Sequence, residues 1–197
     1  MVEYLVKTNS IGGMTEEQFF NFCQENDTLT LERNANGEII IMSPTGNITS
    51  WFNSQITAEL VVWNQKDGSK KGIILDSNGG ITLPNKAVRS PDAAFIHKDR
   101  WVKLTTDDKK KFAHICPDFV LEIRSESDSV QELKTKMKEY IDNGCRLAWL
   151  IDPKNKETHV YRTTGSNEVI SFDKELSGEE VMPGFSIDLS KIFNEEI

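Results

Sequence analysis

The stretch from Pro117 to Ile151 constrains the fold of this chain more than any other. Pro117-Asp118-Phe119-Val120-Leu121-Glu122-Ile123-Arg124 reads as a strand, Ser129 to about Asn143 as a helix, and Leu147-Ala148-Trp149-Leu150-Ile151 as a second strand. The helix opens on a capping box, Ser129-Val130-Gln131-Glu132, and ends at Gly144, where left-handed backbone favours glycine. The second apolar run is too short for a helix and has no polar face, so it is expected to be buried on both sides. Strand, helix and buried strand form a βαβ crossover, right-handed, with its strands parallel.

The first of those strands carries a charge into its apolar run, and so does Ser90-Pro91-Asp92-Ala93-Ala94-Phe95-Ile96. Side chains alternate along a strand, so Glu122 and Arg124 share one face while Phe119, Leu121 and Ile123 fill the other. One face is core; the other is a candidate site. Mid-strand glutamate is disfavoured without a use. Two carboxylates on neighbouring strands, with a cation beside one of them, suit a divalent metal and a phosphodiester. The blander alternative has Asp92 capping a turn after Pro91 and Glu122 paired only with Arg124.

Elsewhere, Thr15-Glu16-Glu17-Gln18 is another capping box, opening a short amphipathic helix to about Asn26. Leu29 to Glu32 and Glu38 to Met42 flank the turn Asn34-Ala35-Asn36-Gly37 as a hairpin. Trp51, Phe52, Ile56, Leu60 and Trp63 recur at helical spacing from Thr49 to about Asn64. Gly72 to Asp76 and Ile81 to Leu83 read as short strands, Thr158 to Arg162 as an outer strand, and Val169 to Phe172 as another. Residues 98–113 read as a short helix or lid, and the tail as a closing loop and terminal cap.

With 197 residues, 38% hydrophobic and 27% charged, the chain is expected to be one mixed α/β domain spanning 1–197. No apolar run nears the ~18 residues of a membrane span. Met1 to Lys7 lacks the apolar region of a signal peptide, so a cytoplasmic protein is expected. Cys23, Cys116 and Cys145 match no metal or disulfide spacing and read as free thiols. A net charge of −8 argues against a protein that coats nucleic acid non-specifically, but not against an enzyme acting on it. Basic residues gather at Lys109-Lys110-Lys111 and at Lys134, Lys136 and Lys138; either cluster also reads as a solvated face, the loop run Lys109 to Lys111 above all.

The order of Ser43-Pro44-Thr45-Gly46, a helix, LPNKAVRSPDAAF (Leu83 to Phe95), CPDFVLEIRSESDS (Cys116 to Ser129), KMKEYIDNG (Lys136 to Gly144) and WLIDP (Trp149 to Pro153) resembles the Uma-two family of restriction endonucleases. That family belongs to the PD-(D/E)XK nuclease superfamily, and the likeness spans about Thr15 to Leu189. It implies a restriction-endonuclease-like α/β (α+β) core, a mixed central β-sheet flanked by helices. It matches Asp92 to the PD aspartate and Glu122 to the (D/E) position. It also implies Mg²⁺, with Mn²⁺ as a substitute, DNA as substrate, and a homodimer whose two sites address two strands. Arg124 stands where the superfamily usually carries lysine.

Arg124, with a pKa above ~12, cannot be a general base, but its guanidinium fits a phosphate bidentately. Lys136 is the alternative for the missing lysine. It flanks the apolar stripe of Leu133, Met137, Tyr140 and Ile141 and matches the family's lysine four residues before tyrosine. The competing reading is a surface lysine snorkelling over the core. Glu32 sits where the resembling family tends to carry glutamate; it is a candidate third metal ligand or an exposed strand glutamate. Asp118 and Asp76 are weaker candidates. His97, His114 and His159 have no partner at ligand or triad spacing, and Ser43 to Gly46 reads as a plain turn.

The candidate catalytic set is therefore Asp92, Glu122, Arg124 and Lys136, with Asp92, Glu122 and Glu32 as metal ligands. Three functions are compatible with it: a Mg²⁺-dependent endodeoxyribonuclease, a catalytically degenerate nucleic-acid-binding or scaffold protein, and a metal-dependent hydrolase of a small phosphorylated substrate. The last requires a closed pocket, whereas a nuclease requires an open cleft with basic walls.

Overall fold

The computed structural model describes residues 3–68 and 70–193; Met1 and Val2 of the leader reading lie outside them. In chain order the elements are β1 (Glu3–Val6), α1 (Glu16–Glu25), β2 (Thr30–Arg33), β3 (Ile39–Met42), α2 (Asn47–Gln65), β4 (Gly72–Asp76), β5 (Ile81–Thr82), β6 (Val88–Arg89) and β7 (Ala93–His97). There follow α3 (Lys98–Trp101), α4 (Thr106–Lys110), β8 (Ala113–His114), β9 (Phe119–Ile123), α5 (Val130–Asp142) and β10 (Leu147–Asp152). The chain continues through β11 (Glu157–Arg162), β12 (Asn167–Ser171), β13 (Leu176–Ser177), β14 (Ser186–Ile187) and α6 (Leu189–Phe193).

Two six-stranded sheets carry the fold, ordered β1-β3-β2-β6-β5-β8 and β12-β11-β10-β9-β7-β4. In the second, β9 and β10 run parallel, with Phe119 to Ile123 opposite Leu147 to Ile151, as a strand–helix–strand unit requires. Every residue of β10 is buried. The other neighbours in that sheet are antiparallel, so it is mixed.

Alternation along β9 decides which helix each side chain meets. Phe119, Leu121 and Ile123 pack with Phe52, Ile56 and Leu60 of α2. Val120 faces the opposite way, with Met137 and Tyr140 of α5. Glu122, two residues on, therefore projects toward α5.

Several expectations are corrected. The Ser129 side chain caps α5 from one side only, accepting from the Glu132 N–H at 3.4 Å. The Thr158 to Arg162 strand is not at the edge, because Asn167 to Tyr161 and their neighbours pair antiparallel and put β12 outside it. Residues 98–113 hold two short helices and the first residue of β8. Strands β1, β6 and β8 have two to four residues, too few to show a period. Among the described residues no helix is long and apolar enough to cross a membrane.

Gly72 opens β4 where no side chain fits, since a Cβ would run into the Ile96 carbonyl and the Phe95 ring. Asn64 of α2 closes on the same glycine, donating to its carbonyl at 3.0 Å and accepting from its N–H at 2.9 Å. Gly72→Ala is expected to destabilise the fold by about 1–3 kcal/mol, because β4 must move away from β7. Urea unfolding would show this as a lower midpoint at unchanged slope.

Candidate active site

Asp92 follows Pro91 and directly precedes β7. The β7–β9 register sets Ala93 opposite Leu121, and one step further sets Asp92 opposite Glu122. The Asp92 carboxylate takes over where the ladder stops: Oδ2 accepts the Ile123 N–H at 2.7 Å, and Oδ1 accepts from the Asn53 amide of α2 at 3.0 Å.

Glu122 meets α5. Helical spacing puts Lys136 one turn before Tyr140, and both reach the same oxygen: Lys136 Nζ lies 2.8 Å from Glu122 Oε1, and the Tyr140 hydroxyl donates to it at 3.1 Å. Lys136 Nζ also lies 3.0 Å from Oε1 of Glu32, on β2 of the other sheet. Glu32, 2% exposed, further accepts from the Ser90 N–H at 2.9 Å and from Arg89 at 2.8 Å. Arg89 in turn holds Glu139 at 2.7 Å. Glu139, Arg89, Glu32, Lys136, Glu122 and Tyr140 thus form one continuous run. Lys136 does not snorkel into solvent, and Glu32 is not an exposed strand glutamate.

Arg124 stands apart from this run. In the parallel register Asp152 is its neighbour on β10, and the guanidinium turns sideways to it, with Nη1 2.8 Å from Asp152 Oδ2. Alternation alone could not reveal that competing carboxylate. The Glu122–Arg124 pair of the blander reading is replaced by the pair with Lys136. Asp118 also faces elsewhere: it accepts the His97 N–H at 2.8 Å and pairs with Arg100 at 3.0 Å. Asp76 accepts from the Asn78 N–H in the turn after β4.

Burial drives the protonation states. It pushes Asp92 up to about 6, against the stabilising Ile123 N–H. It also raises Glu122 above the usual carboxylate range, despite Lys136. For Glu32 burial is outweighed by the Lys136 and Arg89 cations, and its carboxyl lies below its ordinary value. Burial disfavours the Lys136 ammonium, yet Glu122 and Glu32 more than offset it and raise its pKa.

Asp92, Glu122, Glu32 and Lys136 line one cavity of about 560 Å³. Thr49 and Ser50 from the first turn of α2 and Ser129 and Gln131 from the start of α5 line it too. Helix N-termini carry partial positive charge and favour anions. The remaining charged lining is acidic, with Asp128, Glu132 and Glu139 against only Arg89 beside Lys136. The basic walls expected of a nuclease cleft are not part of this cavity.

Among the described residues no group of three or more His, Cys, Asp or Glu is arranged to hold a metal. The expected third ligand, Glu32, is drawn to Lys136, Arg89 and Ser90 instead. The pair Asp92 and Glu122 still fits a small hard cation, which takes one or two carboxylates and completes its shell with water and substrate oxygens. Burial raises both carboxyls, Glu122 despite its pair with Lys136. Asn53 Oδ1, beside Asp92 in the cavity wall, is a buried oxygen without a hydrogen-bond partner. Asn53, Arg89 and Glu139 went unread in the sequence; only the position of Arg89 beside Ser90-Pro91-Asp92 hinted at a role.

A mixed sheet with paired carboxylates on neighbouring strands, flanked by α2 and α5, defines a protein of the restriction-endonuclease-like α/β class. The chain belongs to the Uma2 family, described as "Putative restriction endonuclease", whose model matches residues 16–190. A solved structure from Anabaena variabilis, described as "a putative nuclease belonging to DUF820", is similar in fold. The two are 18% identical, the match covers 83% of this chain and 89% of that one, and the TM-score is 0.71. No curated protein matches the chain. Family and fold together support a nuclease function.

The raised Asp92 carboxyl has a stability consequence. Unfolded, Asp92 titrates at about 3.9; folded, at about 6. Between these values the folded state holds the extra proton, so stability is lost as pH rises to about 6. Without divalent metal at pH 8, Asp92→Asn is expected to be more stable than wild type by about 1–3 kcal/mol. Thermal unfolding from pH 4 to 8 would show the gap closing toward pH 4.

Proposed function

We propose that this protein is a divalent-metal-dependent endonuclease that hydrolyses DNA phosphodiester bonds, with Asp92 and Glu122 as carboxylates for Mg²⁺ or Mn²⁺. Lys136 acts as the cation facing the scissile phosphate. The observation that carries this reading is the Lys136 ammonium, 2.8 Å from Glu122. Arg124, in the usual lysine position, is turned to Asp152, and α5 delivers an ammonium to the same carboxylate from above the sheet.

Bound Mg²⁺ would supply Lewis acidity toward a phosphoryl oxygen and lower the pKa of its water. Lys136, kept protonated by Glu122 and Glu32 against the opposing effect of burial, stabilises charge developing on the phosphoryl oxygens and does not take a proton. Tyr140, its pKa raised by burial, stays a hydroxyl and orients Glu122. Asn53 and the Ile123 N–H orient Asp92. The starts of α2 and α5 favour the phosphate itself.

The acidic lining favours one second reading, a metal-dependent hydrolase of a small phosphorylated substrate, for which basic walls are unnecessary. Incubation of supercoiled plasmid and of single-stranded DNA with Mg²⁺ or Mn²⁺ separates the two. Metal-dependent cutting is expected from wild type. Asp92→Asn, Glu122→Gln and Lys136→Met should each lower it about 10²-fold or more, and Lys136→Arg less. Intact DNA alongside metal-dependent turnover of p-nitrophenyl phosphate would contradict the endonuclease and favour the second reading.

A further inference from the structure

Residues 98–111 carry six basic and three acidic side chains in a chain whose net charge is −8. Lys109, Lys110 and Lys111 line a second cavity, of about 280 Å³, together with Phe20, Trp101 and Phe112. Asn78 lines both this cavity and the one that holds Asp92 and Glu122, so the two adjoin across the loop 77–80. The basic wall missing from the first cavity therefore lies one loop away.

The chemistry of this groove is aromatic as well as cationic. Trp101 is half-buried, and Lys109 Nζ sits 6.0 Å from its ring centroid. Phe20 and Phe112 meet edge to face at 5.1 Å. A Cβ at Gly80 would collide with the Phe112 ring, so the loop can approach that ring only as glycine. Lys111 is drawn to Asp107 at 3.2 Å, and the Asp108 carboxylate is occupied by the Thr105 N–H and the His114 ring. Among the described residues no carboxylate lies within 4.0 Å of the Lys109 or Lys110 ammonium. A strand of phosphates with flat π-faced bases matches both properties, and a base that stacks in a recess must be unpaired.

We infer that this groove docks a single-stranded stretch of the nucleic-acid substrate, with a base on Trp101 and phosphates on Lys109 and Lys110, and that the strand crosses Asn78 to reach Asp92 and Glu122. The inference rests on the nuclease reading for what happens at the far end of the strand, but docking itself needs no metal. The test is fluorescence anisotropy of the full-length protein in EDTA with a labelled oligothymidylate of about 15 nucleotides, long enough for one such site.

Trp101→Leu, which keeps an apolar side chain on the core, should weaken binding about tenfold, and Trp101→Phe should recover most of it. Lys109→Ser with Lys110→Ser should flatten the slope of log affinity against log salt by about 1.4. Melting curves matched to wild type exclude misfolding as the cause. If wild type binds the oligonucleotide and cuts DNA while these variants bind as tightly, the groove is not the docking site and the nuclease reading survives. If wild type shows no affinity in EDTA, the inference fails, and the plasmid assay decides separately whether the nuclease reading fails with it.

Discussion

The two ion pairs of Lys136 tie the sheets together at the place where the site forms. Glu32 belongs to one sheet and Glu122 to the other, and α5 lowers a single ammonium between them at 3.0 and 2.8 Å. A buried charge that loses a partner is left uncompensated, at a cost of about 3–5 kcal/mol. Docking of the sheets and assembly of the site therefore depend on the same three side chains. Arg89 repeats the arrangement one step further out, bridging Glu32 of β2 and Glu139 of α5.

The cations do not balance the acids. Glu32, Asp92, Glu122 and Glu139 face Lys136 and Arg89, which leaves a surplus of two negative charges before Asp128 and Glu132 of the same cavity wall are counted. Desolvation by burial raises both Asp92 and Glu122, and the neighbouring carboxylates add to it. Under the proposed function, a divalent cation at Asp92 and Glu122 would carry the charge that is missing. The loss of stability expected as Asp92 ionises and the proposed affinity for a hard cation would then have one origin, the desolvation of two carboxylates.

The elements that position the site were legible because their local rules were strong. The βαβ unit followed from a capped helix between two apolar runs, and the paired carboxylates from charges placed where a strand should bury hydrocarbon. Lys136 was half legible: the helical stripe put it at the boundary of core and surface, which fits both a snorkelling lysine and a site lysine. Arg124 was misleading, since strand alternation says which face a side chain takes but not that Asp152 waits beside it across a parallel register. Asn53 and Glu139 were illegible, being 39 and 50 residues from the partners that give them a role. The acidic lining of the cavity and its contact with the Lys109 to Lys111 groove likewise exist only once distant loops meet.

Under the proposed function, a polyanion entering the acid-lined cavity would need both counter-charge at Asp92 and Glu122 and a basic approach, and the cavity and the Lys109 to Lys111 groove lie on either side of the loop 77–80. The counter-charge is the more fundamental requirement, and calorimetric titration with Mn²⁺ at pH 7 in buffers of differing ionisation enthalpy tests it most directly. Binding is expected to release up to ~1 proton per site, because Asp92 and Glu122 must shed what burial makes them hold, with the release much reduced in Glu122→Gln. Absence of binding, or binding without proton release that persists when Asp92→Asn and Glu122→Gln are combined, would contradict a metal site built on these two carboxylates.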